Sequence, residues 1–265
     1  MEFKIDAHVH SMYSGDYFMR RITPQRILER AILRGLNGIV ITDARADEAF
    51  DKICDKPREY IPGIDLIYCD KEIALFEKGG KPIYLLRGME HHDDKGHLLD
   101  IGGTRPIIYN PKYSLLDRIR CAHGNGRIIG CAHHLDVNFG GMGEGNFREL
   151  SPELDFVEIF NSLTSPENNY KAAQAALDCK RPGLSNSDDH NAKPGRGSTV
   201  LGINADKETL RAEVIKMAIV QGKIIGYHQE YTPAWEKACI FVGKDFAGGH
   251  FGPALERIGR KLRRK

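Results

Sequence analysis

Short apolar, β-branched runs ending in polar residues recur along the chain: Phe3 to Ile5, Gly38 to Thr42, Ile83 to Leu86, Arg127 to Cys131, Phe156 to Phe160 and Ile224 to Gly226. Each reads as a buried strand. Between several of them the apolar positions switch to helical spacing, and the helix starts carry capping residues. Thr23-Pro24 precedes QRILERAILRGL, Ser114 precedes LLDRIRCAHG, Ser165-Pro166 precedes ENNYKAAQAALDC, and Asp206 precedes KETLRAEVIKMAIVQG. Strand followed by helix, repeated, predicts a parallel sheet covered by helices. The glycine-rich stretch Phe139 to Gly145 opens no recognisable helix and is expected to form a loop.

A length of 265 residues suits one large α/β barrel, so residues 1–265 are expected to form a single domain. No apolar run is long enough to span a bilayer. The start, MEFKIDAHVH, lacks the basic and apolar regions of a secretion signal, and the six cysteines form no C-x-x-C pair. A soluble, cytoplasmic protein with reduced thiols and no membrane contact is expected. The formal net charge is +2, yet residues 257–265 hold six Lys or Arg and no acid, leaving 32 basic against 36 acidic residues elsewhere. The basic tail is thus a candidate contact for nucleic acid or another polyanion. No G-x-G-x-x-G follows the first strand and no Walker lysine loop is present, which disfavours dinucleotide or nucleoside-triphosphate binding.

Candidate chemistry lies where the strands end. His8 and His10 alternate onto one face and can share a metal ion. Asp16 follows in the next loop, and then come Thr42-Asp43, Gly88-Met89-Glu90, Gly96-His97, Ala132-His133-His134 and Ser187-Asp188-Asp189-His190. Each of these alone would be an ordinary capping or hydrogen-bonded residue. In a parallel barrel, however, the carboxyl ends of the strands share one mouth, so residues far apart in sequence converge.

These residues resemble, in order, the motif series of the PHP (polymerase and histidinol phosphatase) family. That series is H-x-H with a downstream acid, then T-D, G-x-E, a His before aliphatics, A-H, and S-D-x-H; the match runs from Asp6 to His190. The resemblance implies a distorted β/α barrel of about seven strands. It also implies two or three divalent metal ions (Zn, Mn or Fe) and hydrolysis of a phosphate ester, either a small phosphorylated molecule or a nucleic-acid end. His8, His10, Glu90 and Asp188 would hold one metal, with Glu90 bridging to a second held by His97 and His133. Asp16 and His190 would belong to a third. The family usually reads T-D-H after the second strand, whereas this chain reads Thr42-Asp43-Ala44, so Asp43 or Asp47 would have to substitute if three metals bind. Glu158 and Asn161 would orient ligands, Arg196 would donate to phosphate, and His134 or His228 would serve as general acid. His91 and His92 are expected to stay outside the ligand set. Two rival readings are an amidohydrolase-type barrel cleaving C–N bonds, against which the position of Glu90 argues, and a non-catalytic module that binds metal or nucleic acid.

Overall fold

The structure is a computed structural model, and it describes residues 1–14, 21–44, 48–103, 113–132, 140–206 and 209–247, with side chains to Ile240. Its eleven strands form one sheet. In chain order they are β1 (Glu2–Val9), β2 (Gly38–Ile41), β3 (Asp65–Cys69), β4 (Ile73–Lys78), β5 (Lys81–Asp93), β6 (Gly96–Gly102), β7 (Arg127–Cys131), β8 (Phe156–Asn161), β9 (Gly183–Asn186), β10 (Gly197–Gly202) and β11 (Ile224–Gln229). The spatial order is β11-β10-β1-β2-β5-β6-β7-β8-β9, with β3 paired to β4 and β4 to β5.

Strands β1, β2 and β5 run parallel, as do β7, β8 and β9. Between these blocks β6 is antiparallel to both neighbours, and β10 and β11 add antiparallel strands beside β1. Beyond β9 the chain bridges back to β1: His10 N donates to Asp189 O at 3.0 Å and Asp189 N to His8 O at 3.3 Å. The sheet is therefore a nearly closed, distorted barrel. The expected seven strands become eleven because hairpin partners interrupt the strand–helix alternation, and a hairpin needs no helix to connect its strands.

Among the described residues the α-helices are α1 (Pro24–Leu33), α2 (Glu48–Asp55), α3 (Pro57–Tyr60), α4 (Leu115–Gly124), α5 (Gly143–Leu150), α6 (Pro166–Asp178), α7 (Ala212–Val220) and α8 (Ala234–Ala247). Thr23, Ser114 and Ser165 cap α1, α4 and α6 with their hydroxyl oxygens, each such cap contributing about 1 kcal/mol. Two expectations fail. Helix α7 starts at Ala212 rather than just after Asp206, and the glycine-rich stretch does begin a helix, α5, because Phe147 and Leu150 bury against the layer beneath α4.

Phe3, Ile5, Tyr84, Leu86, Leu99, Ile101, Phe156 and Leu184 fill the barrel interior, joined by Ile215 and Ile219 of α7. The outer face of β1, β2 and β5 packs Val9, Ile39, Ile41, Ile83 and Leu85 against α1 and α2. Along β1, Ala7 belongs to the interior and Val9 to the outer layer, and the register with β2 shifts between Asp6 and Val9. That irregularity turns His8 and His10 toward the interior mouth, where simple alternation from Phe3 and Ile5 would have sent them outward. Glu90 reaches the same mouth by continuing the inward row Tyr84, Leu86 and Gly88 along β5.

Candidate metal centre

His8, His10 and Asp188 place one potential ligand atom each within 4.8 Å of one another, and all three are buried. The tautomers follow from the partners. His8 Nδ1 lies 2.9 Å from Glu158 Oε1, and an ionised carboxylate only accepts, so Nδ1 carries the proton and Nε2 keeps its lone pair. His10 Nδ1 lies 3.0 Å from Ser14 Oγ, whose own proton goes to Asp43 Oδ1 at 2.7 Å. His10 Nδ1 is therefore also a donor, and its Nε2 also presents a lone pair.

These two Nε2 atoms stand 3.1 Å apart, and Asp188 Oδ1 lies 3.4 and 3.3 Å from them. Glu90 completes the group, with Oε1 at 3.8 Å from His8 Nε2 and Oε2 at 3.5 Å from His10 Nε2. The donor atoms of His8, His10 and Asp188, all 3.1–3.4 Å apart, repel unless a cation lies among them. The edges of a tetrahedron around an ion bound at about 2.1 Å measure about 3.4 Å, so a divalent metal fits the donor set. Electrostatics agree: burial alone would depress the His8 pKa, but Asp188, Glu158 and Glu90 drive it up to about 10. The cluster therefore retains a cation, a proton if nothing else is bound.

Glu90 also belongs to a second group with His92 and His97. His97 Nδ1 lies 3.0 Å from Glu90 Oε1, His92 Nε2 lies 3.0 Å from Oε2, and the two imidazoles stack at 3.9 Å. One carboxylate thus touches both groups, the arrangement expected of a bridging ligand. His97 is the edge of this site, and glycines press against it. Gly140 O accepts from His97 N at 2.8 Å, and a Cβ on Gly140 would stand 2.3 Å from the imidazole. Gly140 has a φ of +81°, and a Cβ on Gly96 would meet Met142 at 2.4 Å, so neither position accepts a side chain without movement.

Glu158 is fully buried and accepts from Asn161 Nδ2 at 3.1 Å and Asn186 Nδ2 at 3.0 Å, while Asn161 Nδ2 also reaches Asp188 Oδ2 at 3.2 Å. Both Glu158 and Asn161 thus orient ligand candidates. Asp43 is buried and takes the backbone N and Oγ of Ser11 as well as the Ser14 hydroxyl, so it braces the loop behind His10. Burial is the main reason its pKa is raised. Ala44, where a histidine would extend the ligand set, pairs in register with Glu90.

The remaining candidates spread out. His190 is buried with its ring 4.3 Å from that of His10 and its Nε2 3.7 Å from Asp188 Oδ1. Arg196 is buried, and its Nη2 donates to Glu236 Oε2 at 2.8 Å. His228 is half exposed on β11, 3.9 Å from Glu230 and outside both groups. Asp16, Asp47, His133, His134 and the basic tail lie outside the described residues. Sequence reasoning passed over His92; its signal was the alternation that sets it on the face of Glu90. His91, on the opposite face, joins Asp100 and Arg127 in a buried triad.

No protein-family model matches the sequence, and no curated protein matches it. Solved structures do. PsfC from Pseudomonas syringae PB-5123 superposes with a TM-score of 0.64 at 13% identity, covering 94% of this chain and 98% of that one. The lesion-specific endonuclease PfuEndoQ from Pyrococcus furiosus gives 0.61 at 22% identity, covering 86% of this chain and 58% of the endonuclease. A two-domain protein containing a predicted PHP-like metal-dependent phosphoesterase, from Bacteroides vulgatus ATCC 8482, gives 0.59 at 18% identity, covering 87% and 65%. The chain therefore spans less than two thirds of the latter two proteins. What it has in common with all three is the fold.

Proposed function

We propose that this chain is a metal-dependent phosphoesterase. The observation that carries the reading is the convergence of His8, His10, Asp188 and Glu90, the first three oriented by Glu158, Ser14 and Asn161 respectively. His8, His10, Glu90 and Asp188 would hold one ion; Glu90, His97 and His133, with His92 beside them, would hold a second; Asp16 and His190 would contribute to a third. Divalent ions in such a donor set (Zn, Mn or Fe) supply water activation and neutralisation of phosphoryl charge. The chain's own part would be to fix the ligand tautomers, to place Glu90 between the two ligand groups, and to bury the donors of His8, His10 and Asp188. His134 is retained as general acid for the leaving oxygen. The fold likeness to PHP-like phosphoesterases supports the same reading.

Among substrates, a nucleic-acid phosphodiester is favoured over a small phosphomonoester. The likeness to a lesion-specific endonuclease supports it, as does the run of six basic residues in 257–265. Assays with Mn(II), Zn(II) and Fe(II) on a phosphomonoester, a nucleic-acid end and a lesion-bearing duplex test this reading. Turnover of a duplex or its end, lost on truncation at Glu256 in a salt-dependent manner, is the expected result. Hydrolysis confined to the monoester would overturn the nucleic-acid reading, and no hydrolysis with any ion would leave a metal-binding module. Among the described residues no helix is long and apolar enough to cross a membrane. We read residues 1–265 as one domain acting in the cytoplasm.

A further inference from the structure

Glu236, in the first turn of α8, is almost fully buried although it is a carboxylate. It accepts from Asn191 Nδ2 at 2.9 Å, Lys193 Nζ at 3.0 Å and Arg196 Nη2 at 2.8 Å. All three donors sit on the loop between β9 and β10, whose first residues are Ser187, Asp188, Asp189 and His190. Burial alone would raise its pKa, but hydrogen bonds from Arg196, Lys193 and Asn191 pull it down to about 2, so the latch is charged at any working pH.

The loop needs holding. Asp188 and Ala192 both have a φ of 51°, a left-handed conformation that costs an L residue energy unless its surroundings impose it. Part of that constraint comes from beneath, where Asp189 accepts from Asn191 N and Lys193 N, and Asp6 from Ser187 N and Gly195 N. The rest comes from the segment after β11. Thr232 N donates to Ser162 O at 2.9 Å, and the two hydroxyls of this pair meet at 2.9 Å. Ser162 Oγ donates in turn to Ser187 O, next to Asp188. Lys237 Nζ donates to Leu163 O and Thr164 O. Residues 232–237 therefore tie the loop that follows Asn161 at the end of β8 to the loop after β9, which carries Asp188.

We infer that Thr232–Lys237 is a latch in which Glu236 positions the Asp188/His190 arm of the metal centre through Asn191, Lys193 and Arg196. Glu236 is a positioning residue: it touches none of the ligand candidates, yet the affinity of the centre for its ion depends on it. The inference rests on the reading of Asp188 as a ligand. It gives Arg196 a role different from phosphate donation, because its guanidinium is already engaged by a buried carboxylate.

The test is titration of the full chain with Mn(II) alone, free Mn(II) being read by electron paramagnetic resonance, for wild type, Glu236→Gln, Glu236→Ala, Asn191→Ala and Arg196→Ala. Outer partners of metal ligands typically contribute 10- to 100-fold in affinity, so Glu236→Ala is expected to weaken binding about tenfold. Glu236→Gln, which keeps an acceptor but loses the charge, should fall between it and wild type. A role in stability alone would lower the unfolding temperature while leaving the Mn(II) affinity of the folded protein unchanged, and that result overturns the latch. If Glu236→Ala does not fold, Glu236→Gln and Asn191→Ala decide by the same readout. Arg196→Ala should weaken Mn(II) binding; an unchanged affinity with a raised KM for a phosphate ester would return Arg196 to phosphate donation. Wild type that binds Mn(II) but hydrolyses nothing would end the phosphoesterase reading and leave the latch testable, whereas wild type that binds no Mn(II) would end both.

Discussion

Strand β5 carries two histidine–carboxylate clusters, one on each face, and they are opposites. On the inward face Glu90 meets His8, His10, His92 and His97, residues without a permanent charge. On the outward face His91 meets Asp100, and Asp100 is also bound by the guanidinium of Arg127, whose side chain is fully buried. The second cluster contains its own cation and is closed by the protein itself. The first sets the carboxylates of Glu90 and Asp188 beside the imidazoles of His8 and His10, the donor types of a divalent metal site. Residue types alone do not separate a metal centre from a structural ion network. The partners around them differ: a guanidinium on Asp100, imidazoles on Glu90.

Removing the bridge should have the largest effect on this contrast. Glu90→Gln takes a shared ligand from both inward groups, and metal content and turnover should fall together, by more than the 10- to 100-fold that an orienting partner contributes. Metal analysis of the purified variant checks this. On the other face, Arg127→Met leaves Asp100 buried without its cation and should destabilise the fold by about 3–5 kcal/mol while metal affinity per folded chain is unchanged. Denaturant unfolding and Mn(II) titration of the same sample separate the two outcomes. If Arg127→Met weakened metal binding as much as Glu90→Gln, the two faces would not be independent.

A finer distinction concerns the tautomer of His8. Glu158→Gln keeps an oxygen to accept from Nδ1 but removes the charge that makes Nε2 a strong ligand, so metal affinity should drop by roughly 10- to 100-fold with little change in stability. The smallest effect is on pH dependence without metal. His8 is raised from its ordinary value of 6.5 to about 10, so the stabilisation it contributes is fully present below about 6.5 and is lost as pH rises through about 10. Urea midpoints of the metal-free protein should fall between pH 7 and pH 10.5, and those of the metal-loaded protein should stay flatter. Parallel curves would mean that no ion replaces the His8 proton.

Much of the cluster was legible in the sequence because its residues follow short strands in the order of a family's motifs, although Glu90 lies inside β5 rather than at its end. His8, His10, Glu90 and Asp188 were picked out as candidates in this way, and the structure brings them together. The strands themselves were harder to read. β9 is Gly-Leu-Ser-Asn and β6 is interrupted by Asp100, so neither shows an apolar run, and both are strands because neighbouring strands supply their hydrogen bonds. The start of α5 was hidden by glycines that serve the close approach of Gly140 and Met142 to the β6 edge, a tertiary requirement with no local signal. His92 obeyed the alternation rule yet was set aside in favour of motif spacing, and it now lies 3.0 Å from Glu90. The tie from Glu236 to the β9–β10 loop was invisible for another reason: it joins residues 40 to 45 positions apart through side chains alone.

The central claim is that the inward cluster holds divalent metal for phosphoester hydrolysis. The most direct test is elemental analysis of the full chain purified without chelator, with turnover of a phosphomonoester and a nucleic-acid phosphodiester measured on the same preparation. Two or three ions per chain, with hydrolysis that chelator abolishes and added metal restores, is the predicted result. One ion or none, with no hydrolysis after Zn(II), Mn(II) or Fe(II) is supplied, would contradict it.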